Sequence, residues 1–105
     1  MRLPTGTVTL LFTDVEGSTR LLEAFGDHYI DALVEQRRLI EDAVRDNDGF
    51  VVDTQGDSFF CVFATGAAAV RAALVAQRAL ASYSWPHGCV ISVRMGIHTG
   101  NPSVR

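Results

Sequence analysis

The spacing of apolar and polar residues changes several times along the chain, and each change predicts an element. Gly6 to Thr13 is rich in Val, Thr, Leu and Phe and lies between Pro4 and Gly17, which predicts a buried strand. Leu21, Leu22, Phe25, Tyr29, Leu33, Ile40 and Val44 then recur at helical spacing. Phe25-Gly26-Asp27 interrupts this stretch. Gly26 is expected to end one helix in a left-handed conformation, with Asp27 capping a second that runs to about Arg45. Asp46-Asn47-Asp48-Gly49 predicts a turn. Phe50 to Asp53 and Ser58 to Phe63 follow as two strands joined through Thr54-Gln55-Gly56-Asp57, a hairpin. Thr65 is placed to cap an alanine-rich helix reaching about Tyr83. After Trp85-Pro86-His87-Gly88, alternation from Val90 to Ile97 predicts a fourth strand, closed by a turn at Thr99-Gly100-Asn101-Pro102.

The order is βαββαβ. It predicts an α+β fold of ferredoxin-like type, an antiparallel sheet with two helices packed on one face, the first broken near Gly26. In that topology the first and third strands are antiparallel central neighbours. Asp14, at the end of one, and Asp57, at the start of the other, are therefore expected to meet at one edge of the sheet.

Composition narrows the class. The chain has 105 residues, 48% of them hydrophobic and 20% charged, which is the size and balance of one globular domain spanning 1–105. Nine basic residues against twelve acidic ones give a net charge of −3, without the concentrated positive field that phosphate-backbone binding needs, so no nucleic-acid partner is expected. All nine basic residues are Arg. No stretch approaches the roughly 20 apolar residues of a membrane span, and Pro4 to Thr7 break the N-terminal run, so a cytoplasmic protein without membrane contact is expected. Cys61 and Cys89 stand apart from each other and from any Cys/His cluster, and are expected to be reduced core thiols.

The two carboxylates carry the chemistry. At about 4 Å they would repel by roughly 4 kcal/mol at an effective dielectric near 20. A divalent cation removes that repulsion, and Mg²⁺ is commonly held by one or two carboxylates together with substrate phosphates and water. Asp14, Asp57 and the backbone carbonyl of Val15 fit such a set. Gly17, Ser18 and Thr19 open the first helix, where free N–H groups and the positive helix end form a cradle for phosphate. The blander alternatives are that Asp57 is a hairpin turn residue and Ser18 a helix cap. His98, His28 and His87 read as structural or exposed, and Glu41, Asp42, Asp46 and Asp48 as a solvated helix end prone to fraying.

Three motifs in order, TLLFTDVEGSTRLLE from Thr9 to Glu23, VDTQGDSFFCVF from Val52 to Phe63 and VRMGIHTG from Val93 to Gly100, resemble a class III nucleotidyl cyclase homology domain. The resemblance spans nearly the whole chain. It implies conversion of ATP or GTP to a 3′,5′-cyclic nucleotide and pyrophosphate in a homodimer, with two divalent ions, Mg²⁺ or Mn²⁺. Asp14, Asp57 and the Val15 carbonyl would be metal ligands, and Gly17, Ser18 and Thr19 would meet the phosphates. Asp53 falls at the purine-contact position, where the family most often has Lys or Glu. The resemblance also implies a further segment with a ribose-orienting Asn and a transition-state Arg, which this sequence, ending at Arg105, does not contain. Negligible cyclase activity is therefore expected of this polypeptide alone, with a weakened dimer. A second expectation follows from DTQGD, which resembles cyclase-like modules of large bacterial signalling regulators. There the domain would bind nucleotide and metal, or dimerise, without turnover. A diguanylate cyclase is disfavoured because no GGDEF-like hairpin is present.

Overall fold

The computed structural model describes residues 3–101, so the expectations touching Pro102 and Arg105 lie outside the described residues. Its elements are β1 (Val8–Val15), α1 (Ser18–Phe25), α2 (Asp27–Asp46), β2 (Phe50–Gln55), β3 (Ser58–Phe63), α3 (Gly66–Ser82) and β4 (Val93–Gly100), with a short 3-10 turn at Pro86–Gly88 before β4. The four strands form one antiparallel sheet in the order β2-β3-β1-β4. This is the expected βαββαβ arrangement, with the helical region broken at Gly26.

Alternation in the strands separates the two faces. Leu11 and Val15 of β1, Phe59, Cys61 and Phe63 of β3 and Val93 of β4 point into one core with Tyr29, Ala32, Ile40 and Val44 of α2 and Ala69, Ala72 and Leu80 of α3. The alanines of α3 bring that helix close to its neighbours, and α2 and α3 also pack on each other. The intervening residues Leu10, Phe12 and Asp14 lie on the opposite, open face. Phe12 there stacks on its cross-strand partner Phe60, with centroids 4.8 Å apart and planes 11° from parallel.

Several local expectations change. Gly17, not Ser18, is the N-cap of α1. It adopts the left-handed region (φ 66°, ψ 34°) that a side chain disfavours, and no side chain caps this end. Gly26 has positive φ (55°), but its ψ of −123° is outside the left-handed helical region, and it serves both as C-cap of α1 and as N-cap of α2. Asp27 is accordingly a first-turn residue, where its charge faces the positive helix end. The β2 strand extends through Gln55, leaving only Gly56 and Asp57 as the turn. Thr54 and Gln55 pair with β3 because the two-residue turn needs nothing longer to reverse the chain. The β4 strand begins at Val93 and runs through Thr99 and Gly100, since β1 offers Thr9 and Val8 as partners to that end. The acidic end of α2 is braced by ion pairs one turn apart: Glu41 with Arg45 at 3.0 Å and Asp42 with Arg38 at 3.6 Å.

Other readings hold. Thr65 caps α3, its hydroxyl accepting from the Ala68 N–H at 3.1 Å. Trp85 covers the end of α3 and donates its indole N–H to the Leu80 carbonyl at 3.0 Å. Cys61 and Cys89 are free and buried, and burial pushes both thiols up, Cys61 to about 12. His28 and His87 are exposed as expected, though they stack on each other with centroids 3.7 Å apart.

Candidate functional site

The pairing of β1 with β3 sets the site. Thr13 lies opposite Phe59, so the C-terminal end of β1 sits beside the N-terminal end of β3. Asp14 and the Asp57 turn therefore share one end of the sheet, and the N-terminus of α1 follows from the same end of β1. The Glu16 N–H donates to the Ser92 carbonyl at 2.8 Å, fixing this connection to the segment that leads into β4.

The two carboxylates have different surroundings. Asp14 is on the open face directly opposite Arg94 of β4, and the guanidinium grips both its oxygens, Nε to Oδ1 and Nη2 to Oδ2, each at 2.9 Å. That pairing raises the pKa of Arg94 further, and both side chains remain largely in water. Asp57 accepts a hydrogen bond at Oδ2 from the Tyr29 phenol of α2, at 3.1 Å. Burial, together with the bond to this carboxylate, pushes the phenol up to about 12. Each carboxylate is thus compensated by a different element, Asp14 from β4 and Asp57 from α2.

A cavity of about 550 Å³ on the open face brings Asp14 together with Asp53, Gln55, Phe12, Phe60 and Arg94. Asp53 belongs to β2, opposite Phe60, and is exposed. Asp57 is outside this lining. A second cavity, about 450 Å³, is lined by Gly17, Ser18, Thr19, Arg20 and Val15, and Arg94 forms part of its wall as well. Because Leu21 N–H is the first to bond back into α1, to the Gly17 carbonyl at 3.0 Å, the N–H groups of Ser18, Thr19 and Arg20 precede the helical ladder. Val15 lines this second cavity although the residue as a whole is buried.

Among the described residues, no group of three or more His, Cys, Asp or Glu side chains converges. The donors at this end of the sheet are carboxylate and carbonyl oxygens. That set suits a hard cation which completes its shell with water and substrate oxygens. It does not suit a zinc-type cage of nitrogen and sulfur ligands.

Arg94, Tyr29 and Arg37, whose guanidinium donates to the Gly56 carbonyl of the turn, are the site neighbours that spacing alone passes over. The first was legible in principle, because Asp14 and Arg94 fall on the same face once β1 and β4 are paired antiparallel. The other two required knowing how far α2 lies from the hairpin turn.

Residues 2–104 match the family described as the adenylate and guanylate cyclase catalytic domain. An adenylate cyclase of Lachancea kluyveri is 34% identical over 118 residues, covering 94% of this chain and 6% of that protein. An uncharacterized protein of Mycobacterium tuberculosis is 34% identical over 104 residues, covering 97% of this chain and 34% of its own length. Among solved structures, an adenylate cyclase from Trypanosoma brucei in its monomeric state superposes with a TM-score of 0.89 at 29% identity, over 100% of this chain and 61% of that one. The guanylate cyclase domain from Catenaria anguillulae, solved in complex with GTP, shares the fold with a TM-score of 0.80 at 19% identity, over 90% of this chain and 57% of that one. The chain thus spans only a small part of the curated relatives it matches. No helix among the described residues is long and apolar enough to cross a membrane. On its sequence match and its fold, the chain belongs to the adenylate and guanylate cyclase catalytic domain family and is a class III cyclase catalytic-type domain.

Proposed function

We propose that this domain binds a nucleoside triphosphate together with a divalent cation, Mg²⁺ or Mn²⁺, at the Asp14 end of the sheet, as one contributor to the formation of a 3′,5′-cyclic nucleotide. The observation that carries this reading is the antiparallel β1–β3 pairing. It gives Asp14, the Asp57 turn and the start of α1 a common end of the sheet.

Asp14 and Asp57 would hold the cation with the Val15 carbonyl. The free N–H groups from Ser18 onward would donate to phosphate oxygens, where the positive helix end favours the anion. Gly17 makes this approach open, since its left-handed turn leaves no side chain between the backbone and a ligand. Asp53, in the same cavity as Asp14, would accept from a purine amino or imino N–H, which favours guanine over adenine. When bound, the cation supplies charge neutralisation and polarisation of the triphosphate oxygens.

The domain would work as a homodimer. The motifs of this segment carry the cation and phosphate contacts but no match to the family's transition-state Arg. A positioned charge of that kind contributes a factor of about 10² to 10³. The segment on its own is therefore expected to bind and not to turn over.

Calorimetry of the chain with Mn²⁺ and ATP or GTP, alongside detection of cyclic product, tests this. Metal-dependent nucleotide binding that weakens more than tenfold in both Asp14→Asn and Asp57→Asn is the expected result. Nucleotide binding that is indifferent to both substitutions, or absent from the wild type, would remove the reading. Cyclic product from the wild-type segment would overturn the expectation of binding without turnover.

A further inference from the structure

The turn that carries Asp57 is held from outside the sheet by two side chains of α2. Tyr29 is 4% exposed and gives its phenol O–H to Asp57 Oδ2 at 3.1 Å. About two helical turns further on, Arg37 donates through Nη2 to the carbonyl of Gly56, the residue before Asp57. The two anchors are close enough that the positive charge of Arg37 acts on the Tyr29 hydroxyl. Gly56 itself has φ +58°, a conformation that side chains rarely adopt, so the backbone of this turn is committed to one shape.

The helix providing these anchors does not move freely. Between and beyond them, Ala32, Gln36, Ile40 and Val44 of the same helix are buried against the sheet and α3. A two-residue turn projecting past the end of a sheet has few contacts of its own, so its orientation follows whatever grips it. Here the grip passes from the core through α2 to both residues of the turn. The Tyr29 bond also uses only one carboxylate oxygen. Among the described residues, no hydrogen bond reaches Asp57 Oδ1.

We infer that Tyr29 and Arg37 are positioning residues for Asp57, holding the turn in place beside the Asp14 end of β1 with one carboxylate oxygen satisfied by the phenol and the other left for a cation. This rests on the reading of Asp14 and Asp57 as cation ligands, and adds to it the device that aims one of them. Groups that orient a metal ligand in this way typically contribute a factor of about 10 to 100 in metal affinity. Neither residue touches the cation in this arrangement.

Mn²⁺ binding to the full chain, followed by electron paramagnetic resonance of the free ion, tests the inference, with thermal melting recorded beside it. Tyr29→Phe is expected to weaken Mn²⁺ binding about tenfold. In the Asp57→Glu background, where the carboxylate is displaced by a methylene, the same Tyr29 change is expected to cost less than about twofold, because coupled residues are not additive. A merely structural tyrosine would cost the same in both backgrounds, and that result, or wild-type affinity in Tyr29→Phe, overturns the inference. Arg37→Gln, which keeps the buried core of α2 intact, provides a second variant should Tyr29→Phe fail to fold. It is expected to weaken binding several-fold, and unchanged affinity counts against the inference. If Asp14→Asn and Asp57→Asn lose Mn²⁺ while the Tyr29 and Arg37 variants do not, the positioning role alone falls. If the wild type binds no Mn²⁺, the cation reading falls and takes this inference with it.

Discussion

The two faces of the sheet are made from the same strands and do opposite things. On the helix side, Leu11, Val15, Phe59, Cys61 and Phe63 are nearly inaccessible and share one core with α2 and α3. On the open side, the residues between them include Phe12, exposed by 47%, and Asp14 gripped by Arg94. Period-two alternation lets one stretch of chain supply both a core and a site. The difference also shows in what compensates polar groups: on the open face the carboxylate is met by a solvated arginine, whereas the helix side places a nearly buried phenol against Asp57. Stability therefore resides on one face and ligand chemistry on the other, with the Asp57 turn as the point where α2 reaches from the first to the second.

The largest effect should come from removing core from the helix face. Phe63 is fully buried, and Phe63→Ala is expected to cost about 3 to 5 kcal/mol in denaturant unfolding. Phe12→Ala removes an exposed ring whose main partner is Phe60, and about 1 kcal/mol is expected. Equal losses at the two positions would break the division between the faces.

Raising the pH should act next, and only through the helix side. Cys61 and Tyr29 are both pushed up to about 12, from ordinary values of 9.0 and 10.0, so each holds its proton more tightly in the folded chain than in the unfolded one. Their contribution is complete below pH 9, declines as the pH rises between the unfolded and folded values, and is lost above about 12. Denaturant midpoints are therefore expected to fall between pH 8.5 and about 10.5, and less so in Cys61→Ala when each protein is compared with its own value at pH 8.5. A midpoint independent of pH over that interval would contradict the assignment.

The smallest effect is expected at Arg94. Its grip on Asp14 occupies both carboxylate oxygens, so a cation must compete with it. Arg94→Gln is expected to raise Mn²⁺ affinity in the absence of nucleotide by a few-fold, with thermal stability nearly unchanged because the pair is exposed to water. A loss of Mn²⁺ affinity in this variant would show that the ion pair supports the site rather than competes for it.

Much of this was legible in the residues. The order of elements, the break at Gly26 and the Thr65 cap follow from local rules of spacing and capping, and the topology then puts Asp14 and Asp57 at one end of the sheet. The expected repulsion between carboxylates was sound as electrostatics, yet it left out Arg94 and Tyr29 as compensating groups. Both lie far from their partners in sequence, so no window of local pattern contains the pair. The errors at Ser18, Asp27 and the ends of β2 and β4 have a related cause. Caps and strand ends are decided by the partner available across the sheet or turn, and Thr9 and Val8 extend β4 further than its own alternation indicates.

The sequence by itself determined the fold class, the family motifs and the residue types at the candidate site, because period, capping and turn chemistry act over a few neighbouring residues. Only the tertiary structure decided which groups stand against each carboxylate. The contacts of Asp14 with Arg94 and of Asp57 with Tyr29 join distant parts of the chain. Such contacts form only once sheet register and helix packing have fixed the distances between elements.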